Sequence, residues 1–83
     1  MIAIRNFTIT GIDETVKHYV AEIKKESEKL HVTLKNSAGG MKEIFEVFND
    51  NNEIVVKTYT VSIILKPETE LYKKLQQLGV EYL

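Results

Sequence analysis

The chain has 83 residues, no cysteine, one proline and a formal net charge of −1. That length fits one domain spanning 1–83, because ~100–200 residues per domain is usual, and the lack of thiols excludes disulfides and Cys-ligated zinc. Hydrophobic residues make up 43% of a nearly neutral chain, a balance that favours collapse over disorder.

Ile2 to Thr10 is rich in β-branched and aromatic residues and reads as a strand. Its alternation changes phase. Ile2 and Ile4 fall on one face, Phe7 and Ile9 on the other, and a bulge near Arg5-Asn6 or burial on both faces would account for it. Gly11 breaks the strand. Asp13 is a good N-cap and Glu14 suits a helix first turn. Val16, Val20, Ile23, Ser27 and Leu30 then follow at helical spacing. Lys17, Lys24, Lys25 and Glu28 lie off that stripe.

His31 to Lys35 alternates and reads as a short strand, followed by a loop through Asn36-Ser37-Ala38-Gly39-Gly40. Met41, Ile44, Phe45 and Phe48 fit a helix template, but the strong turn Asn49-Asp50-Asn51-Asn52 favours one arm of a hairpin. Glu53 to Lys66 carries no breaker and reads as one strand. Fourteen residues at ~3.3 Å each span about 46 Å, so that strand must bend, divide or project. On it, Val55, Tyr59, Val61, Ile63 and Leu65 share a face. Pro67 at N1 opens a last helix with the stripe Leu71, Leu75 and Leu78. Gly79 suits C′ of a Schellman ending, leaving Val80–Leu83 as a short terminal strand or docked tail.

The expected fold is α+β, in the order β-α-β-β-β-α with an optional short terminal β. Two helices lie on one face of a mostly antiparallel sheet. Were residues 31–36 helical, the order would be ferredoxin-like, β-α-β-β-α-β.

No catalytic constellation emerges, so the chain is expected not to be an enzyme and to need no cofactor. On a helix, His18 has Glu14 and Glu22 one turn away, a row that can hold a metal. A solvated face explains it better, and no second histidine stands at the right distance. Ser27, Ser37 and Ser62 lack a neighbouring histidine and a nucleophile elbow. Ala38-Gly39-Gly40-Met41-Lys42 is Gly-rich but lacks the phosphate-loop pattern. Lys57-Thr58-Tyr59 is the nearest basic–aromatic run, and its tyrosine has core parity.

The element order resembles that of ribosome hibernation factors. Ile9-Thr10-Gly11-Ile12 through His31-Val32-Thr33-Leu34 resembles their first strand, helix and second strand, under half the chain. The basic helix faces that ribosome binding implies are missing. The αβββα order is also similar to that of double-stranded-RNA-binding domains. Pro67-Glu68-Thr69-Glu70 replaces the lysine cluster that would open their second helix.

The N-terminus lacks the basic start and long apolar run of a secretory leader, and no stretch approaches ~18 apolar residues. A cytoplasmic protein without membrane contact is expected. The leading functional expectation is a small non-enzymatic protein-binding domain, such as a phage or mobile-element accessory protein that inhibits a host defence enzyme by contact. Asn49, Asp50, Asn51, Asn52 and Glu53 form the expected contact tip, and the 53–66 strand offers an edge for a homodimer. The rival is an RNA- or ribosome-binding module using Lys24, Lys25, Lys42, Lys73 and Lys74, made less attractive by a pI of about 6.1. A small-ligand or enzyme role in a pocket between helices and sheet is the third alternative.

Overall fold

The computed structural model describes residues 2–10, 13–36, 42–48, 53–58 and 60–83. In chain order the elements are β1 (Ile2–Thr10), β2 (Val16–Glu26), β3 (Lys29–Asn36), β4 (Lys42–Phe48), β5 (Ile54–Lys57), β6 (Ser62–Ile64) and α1 (Glu70–Tyr82). Every strand pairs antiparallel with the next, giving one six-stranded sheet in the order β1-β2-β3-β4-β5-β6. The α+β expectation with two helices, and its ferredoxin-like variant, are therefore both wrong.

The error lies in residues 13–30. Val16–Glu26 is a strand, not a helix. Its true signal is the alternation of Tyr19, Ala21 and Ile23 against His18, Glu22 and Lys24. Ala21 and Ile23 are buried against Leu34 and Val32 of β3. The helical spacing of Val16, Val20 and Ile23 is coincidental, since Val20 and Ile23 point to opposite faces of the sheet. The expected N-cap Asp13 serves a turn instead: its Oδ1 accepts from the backbone N–H of Thr15 at 3.2 Å and from the Thr15 hydroxyl. Those bonds hold the Asp13 carboxyl below its usual range. Both family resemblances required a helix here and fall with it.

Ser27 and Glu28 connect β2 to β3 in a two-residue hairpin closed by the Glu26–Lys29 pair. Ser27 sits at φ 46°, where hairpins of this length favour glycine. The expected strand at 31–35 is real and longer, and the expected arm at 41–48 is β4, paired to β5.

The expected long strand at 53–66 divides. Thr58 turns the chain: its N–H donates to Val61 O at 3.0 Å, and its hydroxyl donates to the same carbonyl at 3.0 Å. Lys57 then pairs with Ser62 and Val55 with Ile64. This turn reverses the parity, so Val55 and Ile63 lie on opposite faces rather than sharing one.

The last helix forms as expected but is capped by Thr69, not opened by Pro67. The Thr69 hydroxyl oxygen accepts from the Tyr72 N–H at 3.2 Å. Leu75, Leu78 and Tyr72 are buried. Gly79 does not end the helix, which runs on through Tyr82 and leaves neither terminal strand nor separate tail. A Cβ at Gly79 would stand 3.0 Å from Val47 Cγ1, so the glycine lets α1 seat close on β4. The core is one layer between α1 and the facing side of the sheet, built from Ile23, Leu30, Val32, Leu34, Phe45, Val47 and Ile54 with the helix leucines. The radius of gyration is 12.3 Å, close to the ~12 Å expected of a folded chain this long.

Candidate functional site

The meander leaves two edges, and they are unequal. β6 offers three residues, whereas β1 offers nine. β1 pairs with β2 from Ile2–Lys24 through Thr10–Val16 without a skipped residue. The expected bulge is therefore absent, and the phase change has another origin. Phe7 and Ile9 face the helix side and are half-buried, with Phe7 stacked 5.9 Å from Tyr19. Ile2 and Ile4 point to the helix-free face, where they are 62% and 66% exposed. Their apolar surface serves no core in this chain.

Native edges are usually blunted by lysine, proline or a bulge. β1 has none of these, and its one charge is Arg5. Arg5 is already engaged. Its Nη2 meets Glu81 Oε2 at 2.7 Å, and its Nε donates to the Tyr82 hydroxyl at 2.8 Å. The guanidinium also lies 5.7 Å from the Tyr82 ring centroid. These contacts tie the helix end to β1. Among the described residues no strand pairs with its outer edge, beside which Ile4, Asn6, Thr8 and Thr10 are exposed.

The helix-free face also carries a charged cluster. Glu46 is only 4% exposed there, ringed by cations. Its Oε1 lies 2.7 Å from Lys57 Nζ, 3.4 Å from Lys29 Nζ and 3.8 Å from His31 Nδ1. His31 Nε2 in turn stands 2.9 Å from Glu26. Burial pushes the Glu46 carboxyl up, but hydrogen bonds and charge from Lys57 and Lys29 outweigh it and leave the group below its ordinary value. Its neighbours satisfy the cluster, which reads as a structural ion-pair network.

A groove of about 810 Å³ opens where α1 begins, with Phe45, Val56, Leu65 and Leu71 among its lining. The pocket expected between two helices and the sheet has only one helix to form it, and no residue was named from the sequence as lining this groove.

The expected contact tip is placed only in part. Asn49, Asp50, Asn51 and Asn52 lie outside the described residues. Glu53 is half-buried, its carbonyl accepting from the Phe48 N–H at 3.4 Å. It also lines a small cleft of about 110 Å³ with Gln76, Gly79 and Val80. The Gly-rich segment 37–41 and Tyr59 likewise lie outside the described residues.

The lysines proposed for nucleic acid do not gather. Lys24 and Lys42 take the helix-free face by strand parity, Lys25 the opposite one, and Lys73 and Lys74 are exposed on α1. On a strand, His18 and Glu22 are ~13 Å apart along the chain, so the metal row dissolves. Among the described residues no group of three or more His, Asp or Glu is placed to hold a metal ion. Among them, too, no helix is long and apolar enough to cross a membrane. Comparison with protein-family models, with curated proteins and with solved structures finds no match to this chain.

Proposed function

We propose that this chain works by contact with another protein, which adds a strand to the open edge of β1. One observation carries the reading: nine consecutive residues of uninterrupted edge without lysine, proline or bulge, with the exposed apolar pair Ile2 and Ile4 beside it. Such an edge supplies backbone donors and acceptors in a fixed row, and the side chains beside it supply selectivity. Inhibition of a host defence enzyme in the cytoplasm is one way such contact would act. The homodimer edge expected at 53–66 is not available as one strand, so the contact moves to the other side of the sheet.

The test is affinity capture from cells of the source organism, with the intact chain and an Ile4→Lys/Thr8→Lys variant as baits. Both positions are exposed, so the variant keeps its core and gains only edge charge. Partners held by the intact chain and released by the variant support the reading. Partners held equally by both refute it.

The groove beside Leu71 favours a second reading, binding of an apolar or amphiphilic small molecule. Its volume lies within the ~300–1,000 Å³ usual for ligand pockets. A metabolite panel scored by thermal shift tests it, and shifts that vanish in Leu71→Glu would support it.

A further inference from the structure

Resting on the β1-edge reading, we infer that the strand added to β1 is β1 of a second copy, paired antiparallel about a two-fold axis at Asn6. The strand Ile2–Thr10 is self-complementary in that register. Asn6 stands opposite Asn6 of the second copy, and a carboxamide both donates and accepts, so it can pair with its own kind. Ile4 stands opposite Thr8, Ile2 opposite Thr10 and Ala3 opposite Ile9, all apolar or β-branched pairs suited to facing strands. Arg5, the one charge, stands opposite Phe7 of the second copy rather than opposite another cation.

Neighbouring registers are poorer. Centring the axis on Arg5 sets two guanidinium groups directly opposite each other, which repels. Centring it on Phe7 leaves Ile2 and Ala3 unpaired. Registers in which an odd residue opposes an even one place the two helices on opposite sides of the joined sheet, so Ile2 and Ile4 then meet helix-side residues. The Asn6 register keeps every residue on its own face and extends the sheet to twelve strands. Pairing β1 to β6 of another copy engages at most three residues of β6. It is also a head-to-tail contact, which closes only as a ring of suitable rotation. The symmetric pairing uses all nine on both sides, and it covers the edges beside Ile2 and Ile4.

The chain lacks cysteine, so single introduced thiols report the register cleanly. Cα atoms of directly opposed residues lie about 4.5–5.5 Å apart, within disulfide range. The two Thr8 residues are offset by four positions, roughly 14 Å, outside that range. Asn6→Cys and Thr8→Cys are oxidised mildly under native conditions and compared on non-reducing gels, beside sedimentation of the unmodified chain over increasing concentration. Pairing along one strand alone makes a small interface, so reversible dimerisation at micromolar or higher concentration is expected. The expected result is a disulfide dimer from Asn6→Cys and at least tenfold less from Thr8→Cys. The sedimenting mass should rise from 9.5 kDa toward twice that value. Ile4→Lys/Thr8→Lys, which sets lysine against lysine twice in this register, should stay at the monomer mass. A monomer at every concentration, or equal crosslinking at both positions, overturns the inference. If capture of a different protein still depends on Ile4 and Thr8 in that event, the edge reading stands without the second copy.

Discussion

The seating of α1 on β4 makes a prediction whose sign depends on the packing. In a helix interior, Gly79→Ala removes a propensity penalty of about 1 kcal/mol, so an unconstrained helix would gain that much. Here the new methyl would stand 3.0 Å from Val47 Cγ1, inside the ~3.5–4.0 Å optimum for two carbons. Val47 cannot easily withdraw. It is 4% exposed, β-branched and on a strand paired on both sides. Overpacking of this kind costs about 1–3 kcal/mol, so Gly79→Ala should destabilise the intact chain by about 0–2 kcal/mol. Val47→Ala alone should cost about 2 kcal/mol through lost burial and a small cavity. In that background the clash is gone, and Gly79→Ala should stabilise by up to about 1 kcal/mol. Urea unfolding of the four proteins, analysed only if their m-values agree, gives the coupling directly, expected at about 1–3 kcal/mol. A gain of about 1 kcal/mol from Gly79→Ala in both backgrounds would refute the seating of α1 on Val47.

Three further outcomes follow from the turns and the charged cluster. Ser27→Gly should stabilise by about 0.5–1 kcal/mol, since a left-handed residue strains serine more than glycine entropy costs; a loss of stability in urea unfolding would contradict the turn geometry. Glu46→Gln should cost about 1–2 kcal/mol at neutral pH. The Glu46 carboxyl is held below its ordinary 4.5, so its contribution is full above that value and disappears as pH falls through the lower folded value. The gap between the two proteins should therefore close in acid, and a gap independent of pH would contradict the ion-pair assignment. Thr58→Val removes the hydroxyl that donates to Val61 O and accepts from Val61 N at 3.2 Å. Amide exchange in Ser62–Ile64 should then quicken while that of Lys29–Asn36 stays unchanged.

What the sequence made legible divides along the type of signal. The β4–β5 hairpin and α1 were readable because Asn49-Asp50-Asn51-Asn52 is a dense run of turn-favouring residue types and the leucine stripe has a clear period. β2 was not, because its helix-facing row includes Ala21, too small to announce itself, and the next turn is Ser27-Glu28 without glycine or asparagine. The break at Thr58 was hidden for a related reason. A threonine hydroxyl replaces the glycine or proline that usually marks a turn, so β5 and β6 looked like one strand of improbable length. Of bending, dividing and projecting, the chain takes division, at Thr58. The open edge of β1 was missed although its signal was present. The phase change in β1 suggests a bulge or burial on both faces, whereas it records apolar side chains placed on a face that α1 does not cover.

The central claim is that the outer edge of β1 is completed by β1 of a second copy. Amide hydrogen exchange followed residue by residue across a range of protein concentration tests it most directly. In dilute solution every second amide of Ile2–Thr10 points away from β2 and should exchange fast. As concentration rises, those same amides should gain protection while Ser62–Ile64 stays unchanged. Protection in β1 that does not vary with concentration, or a gain confined to β6, would contradict the claim.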